Sequence, residues 1–210
     1  MAQFFSVHPT NPQPRLIKRA AEIVRRGGLI AYPTDSCYAL GCAASDAKAL
    51  ERLRRLRGID ERHHLTLMCR DLSEIAKYAI VDDARFRLIK RATPGSYTFI
   101  LRARRELPRR LLHPRRKTIG VRIPGHAVAY ALLAELDAPM LSATLSLPAE
   151  AQPLADAAQI RSRLERELDL VIDAGHCGVE PSTVIDLTGE TPLVVRKGSG
   201  SLAPFDVESV

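Results

Sequence analysis

The sequence predicts an α/β domain whose twisted, open, mixed sheet is covered by helices. Helical and strand periods alternate along most of the 210 residues, and a helix between two strands makes those strands parallel neighbours. The last two strand-like runs are separated only by turn chemistry at Thr188-Gly189-Glu190, so they pair antiparallel. A chain this long can bury roughly 70% of its unfolded surface around one core, and the 46% hydrophobic content supplies it.

The elements follow in order. Pro14 opens a helix in which Leu16, Ala20, Ile23 and Val24 recur at helical spacing until Gly27-Gly28 ends it. Residues 28–32 read as a buried strand ending at Pro33, and the segment after it, through Gly41, reads as a polar loop. Asp46 caps a helix with apolar Ala49, Leu50, Leu53 and Leu56, stopped by Gly58, and a strand follows over 65–69. Short helices are predicted over 72–78 and 83–90, then strands over 97–101 and 118–122, a helix over 127–136 and a short strand over 140–142. A helix from Asp156 or Ala157 to Glu167 leads into a strand over 168–173, and the hairpin strands are 183–187 and 193–196. No repeat or linker divides the chain, and only about the last ten residues look loose.

Composition excludes several classes. The N-terminal seven residues carry no basic or long apolar segment, and no later run approaches the roughly 20 apolar residues of a membrane span, so a cytoplasmic protein without a membrane partner is expected. Cys37, Cys42, Cys69 and Cys177 show neither C-x-x-C nor zinc-site spacing, which points to reduced, mostly buried thiols and no metal-ligating set. Phosphate-loop, dinucleotide, zinc-protease and serine-hydrolase motifs are all missing, and the six histidines make no triad. Any reaction therefore relies on positioning and charge neutralisation rather than covalent catalysis.

The net charge of +7 is concentrated in arginine. Arg102, Arg104, Arg105, Arg109, Arg110, Arg115, Arg116 and Lys117 face a single acid, Glu106, and Arg52, Arg54, Arg55 and Arg57 form an earlier cluster. Such a run is either a solvated face or a surface for a phosphate-rich partner. Folded RNA fits better than a DNA operator, because no helix-turn-helix or zinc finger is visible. Polar clusters also sit at strand ends, where open α/β sheets hold ligands. They are Tyr32 to Gly41, Thr93-Pro94-Gly95-Ser96 and 117–124, the last placing Arg122 between Val121 and Ile123. An arginine on a strand otherwise built for burial needs a partner, and a substrate carboxylate and an internal Asp or Glu are both candidates.

Taken in order, these clusters resemble the YrdC-like family of threonylcarbamoyl-adenylate synthases. The segments that carry the resemblance are 28–36 through Gly41, Thr93-Pro94-Gly95, 118–124, Pro181-Ser182-Thr183-Val184-Ile185-Asp186 and Val195-Arg196-Lys197-Gly198. It covers residues 12–200 as one domain and leaves 201–210 as a short tail. Phe4-Phe5, 65–72 and 108–112 are closer still to the YciO branch.

The resemblance implies a YrdC-like twisted fold whose basic concave face binds ATP with magnesium, L-threonine, bicarbonate and double-stranded RNA or tRNA. The product, threonylcarbamoyl-AMP, feeds the threonylcarbamoyl modification of a tRNA adenosine. Carried over by position, Thr34, Arg122 and Ser182 would bind threonine, and Arg57, Thr118, Ser142, Thr144 and Arg196 would lie along the nucleotide. The basic run, from Arg102 and Arg104 through Arg109, Arg110, Arg115, Arg116 and Lys117, would meet RNA. Two motifs depart from the family pattern. K-x-R reads Arg57-Gly58-Ile59, without its second cation, and S-x-N reads Ser142-Ala143-Thr144, without its amide. A lost donor of this kind costs on the order of 3 kcal/mol, or about a hundredfold in rate, and Arg62 is a candidate replacement. The resemblance thus implies either a synthase-like enzyme of reduced activity or an RNA-binding protein that kept the pocket and lost most of the synthase step. A third reading is an ATP-hydrolysing or carbamoyl-transfer enzyme using the same pocket.

Overall fold

The computed structural model describes residues 1–61, 63, 65–105, 107–108, 111, 115, 117–148 and 150–205. The first half of the chain contains β1 (Gln3–Ser6), α1 (Pro14–Arg25), β2 (Ile30–Tyr32), β3 (Ala39–Ala43), α2 (Ala47–Arg57), β4 (Thr66–Met68), α3 (Leu72–Tyr78) and α4 (Asp83–Ala92). The second half contains β5 (Tyr97–Arg102), β6 (Thr118–Arg122), α5 (Ala127–Leu136), β7 (Met140–Thr144), α6 (Ala157–Leu164), β8 (Leu170–Asp173), β9 (Thr183–Asp186) and β10 (Leu193–Arg196).

Among the described residues the strands form one open sheet in the order β1-β8-β2-β3-β7-β4-β6-β5-β9-β10. It is mixed, as predicted. Parallel pairs join β1 to β8, β2 to β8, β4 to β6 and β5 to β9, while the β9–β10 hairpin is antiparallel. Among the described residues no helix is long and apolar enough to cross a membrane, and all four cysteines are free thiols.

Local chemistry sets the helix ends. Asp46, Asp71, Asp82 and Asp156 each accept a backbone N–H in the first turn of a helix, the N-cap role that removes an orphan donor. Gly58 ends α2 at φ 62°, a left-handed conformation that glycine adopts without a Cβ penalty.

Two sequence expectations are corrected, and one element was not predicted. The segment 32–41 is not all loop, because Ala39–Ala43 forms β3, paired antiparallel with both β2 and β7. Gln3–Ser6 forms β1 at one edge of the sheet, beside β8. The C-terminal segment is not loose as far as residue 205. Phe205 is 4% exposed and packs 5.6 Å from the Tyr97 ring and 6.0 Å from that of Phe99, while the Tyr97 hydroxyl donates to the Ser201 carbonyl at 2.9 Å. Residues 206–210 lie outside the described residues.

Strand alternation sends each strand's side chains to two different layers. One face carries Leu40, Leu67, Phe99, Val121, Leu141 and Ile185 into the main core. Leu53 of α2, Ile75 of α3, Ile89 of α4 and Ile160 of α6 close that core. The opposite face carries Ile30, Tyr32, Met140, Leu170 and Ile172, which α1 and α5 cover. That cover stops part-way across the sheet. Beyond it, β4, β5, β6 and β9 present Thr66, Met68, Thr98, Ile100, Gly120 and Val184 to a cavity.

Candidate functional site

The cavity on this uncovered face has a volume of about 680 Å³. Its floor follows the strand register, in which Gly41, Ser142, Thr66, Gly120 and Ile100 are successive cross-strand neighbours. A Cβ on Gly120 would sit 3.0 Å from the Leu65 carbonyl oxygen, so the floor stays low where β4 and β6 approach. Arg57, from the last turn of α2, is the one described helical residue in the lining; strands and loops supply the rest.

The electrostatics are one-sided. Among the described residues Arg57, Arg122, Arg196 and His63 line the cavity, and no Asp or Glu does. The guanidiniums are held by neighbours that fix their position. Arg122 Nη2 donates to Asp35 Oδ1 at 2.7 Å and lies 3.0 Å from Ser36 Oγ. Asp35 is itself anchored, with Ser96 Oγ donating to its carbonyl at 2.7 Å and lying 3.1 Å from its Oδ2. The partner that Arg122 needed is therefore the internal carboxylate, yet its buried Nε has no hydrogen-bond partner. Arg196 donates to the Ser182 carbonyl from Nη2 at 2.8 Å and from Nε at 3.2 Å. Arg57 donates from Nη1 to the Ser146 carbonyl, and its buried Nε is also unpartnered. Burial, and then the field of Arg196, lowers the Arg57 pKa. Arg196 is lowered too, mainly by burial. Carbonyls orient the Arg57 and Arg196 cations without neutralising them, which leaves their charge for an anion.

The hydroxyls are largely committed to the protein. Thr34 Oγ1 donates to the Cys37 carbonyl at 2.6 Å and accepts the N–H groups of Ser36 and Cys37 at 3.2 and 3.3 Å. This turn gives the segment between β2 and β3 its shape. Ser142 Oγ donates to the Leu40 carbonyl at 3.1 Å, so the Tyr32 hydroxyl, 2.8 Å away, donates to Ser142. Ser142 has one hydroxyl proton and has used it, so toward a ligand it can only accept. Tyr32 is fully buried, and desolvation raises its pKa well above the usual phenol value. Ser182 Oγ lies 2.9 Å from Thr98 Oγ1. Burial pushes the Cys37 thiol at the cavity wall up to about 11, which makes it a poor nucleophile.

The sequence-derived candidates Thr34, Arg57, Arg122, Ser142, Thr144, Ser182 and Arg196 all line this one cavity. Thr118 does not. It shares a β6 face with Gly120 and Arg122 but sits two residues from Gly120, about 7 Å along a strand. In the basic run, Arg102, Arg104, Arg115 and Lys117 are exposed, and Arg104 Nε donates to the Ala76 carbonyl at 2.7 Å. Arg109, Arg110 and Arg116, and the proposed substitute cation Arg62, lie outside the described residues. Sequence reasoning missed the floor residues Thr66 and Thr98 and His63 in the wall, and it assigned no role to Tyr32 behind Ser142 or to Gly120 within the clusters it named. Thr66, Thr98 and Gly120, each beside a core residue (Leu67, Phe99 and Val121), were the available signal.

A family model spanning Sua5, YciO and YrdC proteins, described as telomere recombination, matches residues 22–198. The chain belongs to the Sua5/YciO/YrdC family. It is 55% identical to the uncharacterised protein YciO of Escherichia coli K12 over 205 residues, covering 98% of this chain and all of that protein. A crystal structure of E. coli YciO superposes with a TM-score of 0.94, again covering 98% and 100% of the two chains. The threonylcarbamoyl-AMP synthase of Halorhodospira halophila is 31% identical over 178 residues, 84% of this chain and 92% of that enzyme. Pyrococcus abyssi Sua5 complexed with L-threonine matches with a TM-score of 0.85 and 26% identity, covering 93% of this chain and 57% of Sua5. The Sua5/YciO/YrdC members thus include synthases as well as the more similar YciO proteins.

Proposed function

We propose that the cavity binds ATP, L-threonine and bicarbonate and forms threonylcarbamoyl-AMP for the threonylcarbamoyl modification of tRNA adenosine. The observation that carries this reading is the meeting of Arg57, Arg122 and Arg196 in a cavity that no carboxylate lines among the described residues. Threonylcarbamoyl-AMP synthases within the family and a threonine-bound Sua5 relative support it.

In this reading the threonine amine and bicarbonate condense to a carbamate with loss of water. A carbamate oxygen then attacks the α-phosphorus of ATP, forming one P–O bond as the bond to the β-phosphate oxygen breaks and pyrophosphate leaves. Arg122 holds the threonine carboxylate beside Thr34 and Ser182. Arg57 and Arg196 neutralise the phosphates, where charge builds on the leaving pyrophosphate. Ser142, restricted to accepting, suits a ribose hydroxyl rather than a phosphate, and Thr144 continues that wall. Magnesium would accompany ATP as its complex and supply further charge neutralisation at the phosphates. Arg102, Arg104, Arg115 and Lys117 offer phosphates of double-stranded RNA or tRNA an exposed basic surface.

Calorimetric titration tests the site assignment. Arg122→Ala is expected to abolish L-threonine binding while sparing Mg²⁺-ATP, and Arg57→Ala or Arg196→Ala to weaken Mg²⁺-ATP by about 10- to 100-fold, the worth of a hydrogen bond to a charged group. Threonine affinity unchanged in Arg122→Ala would remove the carboxylate assignment.

A further inference from the structure

We infer that His63 belongs to the triphosphate subsite and takes up a proton when the nucleotide enters beside Arg57 and Arg196. The inference rests on the nucleotide reading of the cavity and adds to it a proton-coupled residue outside the altered K-x-R and S-x-N motifs.

His63 lies in the turn between α2 and β4, its N–H donating to the Asp60 carbonyl at 3.3 Å, and it lines the same cavity as Arg57 and Arg196. Three elements thus bring nitrogen bases to one place: the end of α2, the turn after it and the edge strand β10. The charged groups that act on its ring are Arg57 from α2, Arg196 from β10 and, in the opposite sense, Asp60 of its own turn. From the segment that closes the cavity beyond β7, the lining residues Ser146, Ala151, Gln152 and Pro153 are uncharged.

By surface area His63 is exposed, but the protein around its ring still desolvates the imidazolium. That crowding, and then Arg57 and Arg196, lower its pKa below the ordinary imidazole value of 6.5. The free site therefore holds a neutral histidine near pH 7. Arginine cannot relieve the crowding of like charges, because it does not give up its proton in proteins. Histidine is the member of the trio that can change charge near neutrality. A triphosphate placed against the two guanidiniums reverses the field, and the imidazole then gains a proton from solvent and becomes a third cation. Because protonated His63 binds the polyanion better, linkage requires affinity to rise as pH falls through the imidazole range.

The test is calorimetric titration of Mg²⁺-ATP into the full-length wild-type protein, His63→Gln and His63→Lys at pH 6, 7 and 8, in two buffers of different ionisation enthalpy. ATP titrates as well, so the wild-type to His63→Gln affinity ratio isolates the histidine. That ratio is expected to grow between pH 8 and pH 6 by up to about tenfold for each pKa unit gained on binding. Proton uptake should exceed that of His63→Gln, and His63→Lys should bind tightly with no excess uptake. Parallel pH profiles for wild type and His63→Gln would overturn the role of His63 and leave the nucleotide reading standing. Failure of the wild-type protein to bind Mg²⁺-ATP at any of these pH values would overturn the nucleotide reading, and this inference with it.

Discussion

Asp35 and Arg122 form a nearly buried ion pair, Nη2 to Oδ1 at 2.7 Å, with side chains 17% and 8% exposed respectively. The pair ties the segment after β2 to the end of β6, so the guanidinium meets a ligand from a fixed position. Removing one partner leaves a buried charge uncompensated, which costs about 3 kcal/mol or more. Asp35→Asn is therefore expected to lower the unfolding free energy by about 3 kcal/mol in urea denaturation. A change below about 1 kcal/mol would mean that solvent already satisfies Arg122.

Thr34 organises its turn through one hydroxyl that serves three backbone groups. It is 4% exposed, so water cannot readily replace it. Thr34→Val should cost about 1–3 kcal/mol in thermal or chemical unfolding, with L-threonine affinity falling as well. Thr34→Ser, which keeps the oxygen, should recover most of both losses.

The buried thiols set an alkaline limit on stability. Burial pushes Cys37 and Cys177 up to about 11 and Cys42 to about 12, from an ordinary value of 9.0. Below pH 9 both folded and unfolded chains keep these protons, so the thiols contribute nothing to pH dependence there. Above it the unfolded chain ionises first, and stability falls by up to about 1.4 kcal/mol per pH unit for each thiol until its folded pKa is reached. Urea midpoints measured from pH 8 to pH 11 should decline beyond pH 9, and Cys42→Ala should flatten the decline.

The exposed basic residues make a separate prediction for RNA. Changing Arg102, Arg104, Arg115 and Lys117 together to Glu should weaken binding to double-stranded RNA and flatten its salt dependence, because fewer condensed counterions are released. Mg²⁺-ATP affinity should be unchanged, since none of the four lines the cavity. Equal RNA affinity in filter-binding titrations would make the run a solvated face.

Much of the fold was legible because its helices carry caps and stops in sequence, such as Asp46 and Gly58 around α2, and its central strands are apolar runs. β3 was not, because Ala39-Leu40-Gly41-Cys42-Ala43 contains no β-branched or aromatic residue. Its strand state comes from pairing with β2 and β7, and intrinsic propensity contributes little to it. β1 escaped notice because it is short and its partner β8 lies more than 160 residues away in sequence, a contact that no local pattern encodes. Of the cavity residues, Thr34 and Arg122 sit in polar clusters at strand ends that the sequence displays, whereas Arg57, Ser142, Thr144, Ser182 and Arg196 came from the family resemblance, and spacing alone could not show that Thr118 lies outside the cavity lining. Nor could it show that Asp35 faces Arg122, since that contact joins segments 87 residues apart.

The most direct test of the proposed chemistry is conversion of Mg²⁺-ATP by the purified protein with L-threonine and bicarbonate present or individually omitted. Pyrophosphate release and product mass are read together. Pyrophosphate release is expected to require both threonine and bicarbonate, with a product of the mass of threonylcarbamoyl-AMP, and both signals are expected to be lost in Arg122→Ala. Nucleotide binding with no such product, or pyrophosphate release indifferent to threonine, would contradict the proposed chemistry.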